Sequence, residues 1–246
     1  MDVIPDSSSL EAPESLGLFQ RIWLVLTEPT RAFASIAAHP RWIGVTLIVL
    51  LIGVGAATVT YPYMMQARRD VIMSSDRLTA QQAEQMLDRF SAEDSLMPRL
   101  VTGVFAFIGQ ALFLIIVAGV LLFGGNFLLG GESDFKTVLA VTAHAWLATS
   151  VKNVIVVPLM VVKGSMSVAT SLQILIPIES WTSPLGVILG ATDIFSLWML
   201  ALLVIGLAAA YRFARGKVAA LVVTFYLLAI GVSAGLAALF ANIMPS

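Results

Sequence analysis

Residues 193–240 read DIFSLWMLALLVIGLAAAYRFARGKVAALVVTFYLLAIGVSAGLAALF. Two uncharged apolar runs, 194–211 and 218–240, flank the tight basic turn Arg212-Phe-Ala-Arg-Gly-Lys217. A helix of about 20 apolar residues crosses the hydrocarbon of a bilayer. Only helices and closed barrels satisfy their backbone groups there. These runs lack the polar alternation of barrel strands. A hairpin of transmembrane helices follows, and it names the solvent for the rest of the chain.

Working towards the N-terminus, three further spans emerge. Residues 138–162 form the least apolar one, holding His144, Lys152, Asn153 and Pro158. Residues 100–129 form a long one that ends at Gly130-Gly131, and 43–61 form the first, ended by Tyr61-Pro62-Tyr63. The fold class is therefore all-α, a polytopic transmembrane helical bundle of five spans occupying 42–246. Composition agrees: 59% of residues are hydrophobic and 12% charged, about half the charge of a soluble domain. Residues 163–192 are mixed and read as an external loop, because Ile174-Leu-Ile-Pro-Ile178 is too short to cross.

The hydrophilic segments are short. Residues 1–14 read as a disordered polar tail. Residues 15–41 read as two interfacial helices. Ser15 caps the first; Thr27 caps the second, which carries Pro29 in its opening turn and stops at His39 before Pro40. Arg21, Arg31 and Arg41 are expected at headgroup level, with Trp23 and Trp42 as belt aromatics. In the loop after the first span, Thr79-Ala-Gln-Gln82 is a capping-box pattern. It opens an amphipathic helix over 79–90 with Ala83, Met86, Leu87 and Phe90 on one face.

Lys and Arg in short loops set orientation. With the N-terminus inside, the inner face collects Arg21, Arg31, Arg41, Lys136, Arg212, Arg215 and Lys217, and the outer face Lys163 beyond the long first loop. That loop carries five arginines, but six acids (Asp70, Asp76, Glu84, Asp88, Glu93 and Asp94) accompany them. An N-in, C-out protein of the cytoplasmic membrane is expected. With no signal peptide evident in the first forty residues, the first span is expected to direct insertion.

Polar residues inside spans are where chemistry would lie. His144 and Lys152 stand eight residues apart, about 80° around one helix, and Asn153 faces roughly opposite His144. A charged lysine near mid-membrane faces protein or water. It is either an ion-handling position or a side chain that snorkels or pairs with a neighbour. The second reading is favoured, since no other span offers an obvious carboxylate, and His144 would then sit at interface depth. Asp193 is read as the cap of the fourth span. Asn126, after Gly124-Gly125, marks a bend or close contact with its amide hydrogen-bonded. Gly231-Val-Ser-Ala-Gly235 and Gly206 with Ala210 are small-residue pairs that let helices approach, more often within one bundle than between copies.

Catalytic patterns are missing. His144-Ala-Trp-Leu-Ala148 lacks the glutamate and second histidine of a zinc helix, and Gly164-Ser-Met-Ser-Val168 lacks the second glycine of a nucleophile elbow. The chain has no cysteine and two histidines, so thiolate and histidine-rich metal sites are excluded. Net charge is −1, which argues against nucleic acid as a partner. No enzyme activity and no cofactor are expected; the expected partners are the lipid bilayer, other membrane proteins or a second copy.

The order of segments resembles the bacterial branch of the Yip family of membrane proteins, which share the Yip-one domain. Leu26-x-x-Pro29-x-x-x-Phe33-x-x-Ile36 with Pro40-x-Trp42 is similar to the family's approach to its first span, and Leu78-Thr-Ala-Gln-Gln-Ala-Glu-Gln85 to its outer-loop helix. Gly130-Gly-Glu-Ser-Asp-Phe-Lys136 with Val141-Thr-Ala-His-Ala-Trp146 is similar to the linker and start of the third span. Asp193-Ile-Phe195-Ser-Leu-Trp198 with Gly206 is similar to its most recognisable stretch. The resemblance covers about 16–241 and implies five helical spans with a cytoplasmic N-terminus. For eukaryotic members it implies membrane trafficking and binding of prenylated GTPases. That does not transfer, because their Asp-Leu-Tyr-Gly-Pro motif is absent and the N-terminal region is short.

The expected function is a non-enzymatic scaffold or membrane-organising factor that binds partners or lipids. The alternative is a channel or transporter using the polar third span. It requires His144, Lys152 and Asn153 to converge on a water-accessible cavity.

Overall fold

The computed structural model describes residues 16–73, 79–91, 96–165, 168, 170–177 and 183–243. The tail at 1–14, Ser15 as a cap, and the loop acids Asp76, Glu93 and Asp94 lie outside them. Among the described residues ten α-helices follow in order: α1 (Leu18–Thr27), α2 (Pro29–Ala38), α3 (Ile43–Met73), α4 (Ala80–Ser91), α5 (Leu96–Phe123), α6 (Phe135–Ala145), α7 (Leu147–Lys163), α8 (Pro184–Ala191), α9 (Ile194–Tyr211) and α10 (Arg215–Ile243). Five helical stretches are long and apolar enough to cross a membrane: most of α3, α5 with its continuation, α6 joined to α7, α9, and most of α10.

The least apolar span is, with α9, one of the two most buried. Every residue of α6 from Thr137 to Ala145 is buried, and α2, α5 and α9 pack around it. Lipid supplies no hydrogen-bond partner, so a span with hydroxyls and an imidazole is stable where protein surrounds it. Thr142 Oγ1 donates to the Val138 carbonyl at 2.8 Å and His144 Nδ1 to that of Ala140 at 2.7 Å. Asp134 starts α6 by accepting from the Thr137 backbone N–H at 2.9 Å and its hydroxyl at 2.8 Å. α6 and α7 join at Trp146, whose backbone stays in the helical region, with its N–H on the Thr142 carbonyl at 3.0 Å and its own carbonyl accepting from the Ser150 N–H at 3.2 Å.

Other boundaries move as well. α3 runs through Pro62 to Met73 instead of ending at Tyr61. Pro62 removes one N–H from the ladder. Just before it, Thr58 and Thr60 return their hydroxyls to the Val54 and Ala56 carbonyls at 2.8 and 2.7 Å. α5 passes into a wide turn of π type over Gly124–Leu128. There Asn126 closes the following linker, donating to the Ser133 carbonyl at 3.0 Å and accepting from its N–H at 3.2 Å. A side chain at Gly124 or Gly125 would overlap Phe225 or Tyr211, so this glycine pair seats α5 against α9 and α10.

Two expectations at the N-terminus need correction. Glu28, not Thr27, stands at the cap of α2; the Thr27 hydroxyl instead donates back to the Trp23 carbonyl at 2.9 Å. Arg21 does not face headgroups or water: it is 1% exposed. Its Nε donates to the Leu16 carbonyl at 2.9 Å and Nη1 to the His39 carbonyl at 2.7 Å, tying the start of α1 to the end of α2. The reason is that α2 is part of the core, with Ala32, Phe33 and Ile36 buried against α6 and α9. An arginine on the enclosed side of α1 therefore meets chain ends rather than water. Arg31 and Arg41 are exposed, as is Trp23. The capping box of α4 is formed: the Gln82 amide oxygen accepts from the Thr79 N–H at 3.0 Å, and the Thr79 hydroxyl accepts from the Gln82 N–H at 3.3 Å. The side chains of Met86 and Phe90 lie outside the described residues.

The two small-residue pairs differ in use. A Cβ on Gly206 would meet Val141 Cγ1 at 2.5 Å and Phe33 Cδ1 at 2.7 Å, and Ala210 packs on the same core. A Cβ on Gly231 or Gly235 would meet nothing within 4 Å. Gly206→Ala is therefore expected to destabilise the bundle by about 1–3 kcal/mol through overpacking. Gly235→Ala should be neutral or stabilising within about 1 kcal/mol. Thermal unfolding of the two variants in mild detergent checks the contrast.

Candidate functional site

A polar cluster forms where α7, α9 and α10 meet the segment before α9. Asp193 is extended, 3% exposed, and stands at the N-cap of α9. Its Oδ1 accepts from the backbone N–H groups of Phe195 and Ser196 at 2.8 and 3.1 Å. That leaves Oδ2 free to point across to α7. There it accepts from Lys152 Nζ at 2.8 Å and from the Ser196 hydroxyl at 2.9 Å. The capping role expected of Asp193 is present, and it is half of what the residue does. The expectation that no other span supplies a carboxylate for Lys152 is overturned. The acid lies one residue outside the apolar run of α9, where a reading of uncharged segments does not look for it.

The pair is unequal in exposure, 31% for the lysine side chain and 2% for the aspartate. Such a buried carboxylate is stable because every polar direction is answered: two backbone N–H groups at a helix N-terminus, a hydroxyl and an ammonium. Tyr226 of α10 adds a fourth element, donating to the Ala191 carbonyl at 2.5 Å. Ser196 is also within its hydrogen-bonding reach. This contact folds the segment before α9 back along α10. The apolar α8 packs on α10, and about 25 Å of α10 continues past Tyr226 at 1.5 Å per residue. Residues 184–193 accordingly sit alongside a span rather than standing clear of the bundle as an external loop. Gln173, near a single 3₁₀ turn at Leu172–Leu175, donates to the Gly186 carbonyl at 2.8 Å and holds that fold-back closed.

On its other side Lys152 borders a cleft of about 400 Å³ between α3, α5 and α7, together with Asn153, Gln110 and Thr60. Gly53 makes room for the Gln110 amide, which would overlap any Cβ there. Gln110 and Tyr226 were missed in the sequence. The signal for Gln110 was present, as the one amide in the run 100–123. His144 does not join this cleft. It is fully buried within the bundle. Its Nδ1–H is used on its own helix, and Nε2 has no partner among the described residues. The three polar positions of the third span thus do not converge, and nothing in the geometry favours a channel or transporter. Phe195 is half-buried beside the cap, and Trp198 packs against the core. Among the described residues no group of three or more His, Asp or Glu is placed to hold a metal.

Fold and cluster together define a class: a five-span helical membrane protein whose third and fourth spans are joined through a capped, ion-paired aspartate. The Yip1 domain matches residues 23–238, and the chain belongs to that family. No curated protein and no solved structure is detectably similar to it.

Asp193→Ala should cost about 2–4 kcal/mol, since it removes a helix cap and strands a half-buried ammonium. Lys152→Met should cost less, because Ser196 and two N–H groups still serve the carboxylate. In a double-mutant cycle read by unfolding in detergent, the two changes are expected to couple by about 1 kcal/mol or more. Additive losses would mean that the contact contributes nothing beyond the cap.

Proposed function

We propose that the protein is a non-enzymatic scaffold or membrane-organising factor, acting by helix contacts in the bilayer with a second copy, another membrane protein or lipid. The observation that carries this reading is the unused small-residue face of α10. Gly231 and Gly235 are exposed with open space above them, flanked by exposed Leu227, Leu228, Val232 and Leu236. The same kind of surface around Gly206 is filled by Phe33 and Val141 within the bundle. Helices associate in lipid through close backbone approach at small residues, because apolar burial gives no drive there. A face so shaped and left open suits a helix from outside.

We further propose a bacterial cytoplasmic membrane, with α1 and α2 on the cytoplasmic side. Exposed cations support it: Arg215 donates to the Thr30 hydroxyl at 2.9 Å and Lys217 to the Leu129 carbonyl at 2.9 Å, beside Arg31 and Arg41. This is the charge bias of cytoplasmic faces.

The chain has no cysteine, so a single Leu228→Cys, three residues before Gly231 and seven before Gly235 on the same side of α10, reports contact at this face. In native membranes it is expected to give a cross-linked dimer or a discrete adduct with a second protein. Adding Gly235→Leu should reduce that product on the order of ten-fold. Absence of any adduct, together with a monomer free of copurifying protein in mild detergent, would count against the scaffold.

A further inference from the structure

Between α3, α5 and α6 lies a second groove of about 650 Å³, separate from the polar cleft and from the α10 face. Its walls are almost wholly apolar. It runs from Trp42, just before α3, to Leu50 on α3 and from Phe107 to Ile115 on α5, with Phe135 and Lys136 at the end where α6 begins. Eight residues of helix span about 12 Å, close to one leaflet of a hydrocarbon core about 30 Å thick. The groove therefore starts at one membrane surface and stops near the midplane.

Charge is placed at the surface end alone. Lys136 lines the mouth, and Arg41 directly precedes Trp42 of the same mouth. Both are exposed, and among the described residues neither has an ion-pair partner. Asp134, the acid nearest Lys136 in sequence, is held in the cap of α6 by Thr137. An indole and a phenyl ring at the same level match the amphipathic belt of a bilayer surface.

The geometry points to a site for one anionic phospholipid from the leaflet on the α1–α2 side, its acyl chain in the groove and its headgroup on Lys136 and Arg41. A soluble ligand has no reason to enter so apolar a slot from the bilayer, and a helix from another protein is far wider than one chain. This inference rests on the scaffold reading and deepens it by naming a lipid class. It uses a surface that the α10 association experiment does not touch, so either can fail alone.

The test is photo-crosslinking of the full chain in nanodiscs. The probes are phosphatidylglycerol and phosphatidylcholine analogues with a diazirine in the acyl chain. Adducts are expected at Leu50, Phe107 and Ile115 well above those at Leu227 and Leu228 of α10, and more with the anionic probe. Each of Lys136→Gln and Arg41→Gln should cut the anionic preference by about five-fold, the worth of one cation near an anionic surface. Ala111→Phe, which fills the groove, should abolish the adducts with helical content by circular dichroism unchanged. Uniform labelling of groove and α10, or equal labelling by both headgroups, overturns the proposal. Because that map is read on the unaltered chain, a variant that fails to fold does not rescue it.

Discussion

Hydrocarbon offers a polar group no partner, and the arrangement of the bundle follows from how the third span meets that constraint. Between Thr137 and Asn153 this chain places four hydroxyls, an imidazole, an ammonium and an amide where a lipid-facing helix would carry leucine. Short side chains can turn inwards on their own helix, as Thr142 and His144 do with carbonyls one turn earlier. A lysine cannot. Its ammonium needs an anion from elsewhere, and the aspartate at the head of α9 is the group that arrives. Once α7 is tied to α9 there, α6 is enclosed, and α2 is drawn over the exposed side to complete the wall.

That sequence of dependence explains why the N-terminal helices α1 and α2 belong to the core rather than floating at the surface. Phe33 and Ile36 are fully buried, which needs α2 to lie flat against α6 and α9. The angle is then set by where α1 ends and α3 begins. Arg21 fixes it by donating to the Leu16 and His39 carbonyls, the second of which also accepts from the Arg41 N–H at 2.9 Å. The guanidinium serves here as a five-donor connector. Burial and the neighbouring Arg41 both lower its pKa from the usual value without making it a site.

Hydropathy made the five spans legible, because length and apolarity alone carry that information. Residue-level signals were legible where the partner is near in sequence: the Asp193 and Thr79 caps both use groups within three residues. What could not be read was every contact closed by tertiary packing. Lys152 and Asp193 are 41 residues apart, and Tyr211 meets Gly125 across most of a hundred. The buried side of α1 is set by α2, so the arginine on it looked like any other interfacial arginine.

Glycine shows the same limit most sharply. Gly206 and Gly231 begin small-residue pairs four apart in adjacent spans, and nothing local separates them. One is covered because Phe33 needs somewhere to go, and the other is bare because the core is already closed by α9. A helix motif that permits close approach states a capacity, and the bundle decides which copies of it are consumed internally. In this protein the polar groups are spent within the bundle at α6, α7 and α9. What remains for the outside is shape: a flat glycine face on α10 and a narrow apolar slot beside Lys136. Those are surfaces for helices and lipid chains, which is why the chemistry of the interior and the function of the exterior are read from different residues.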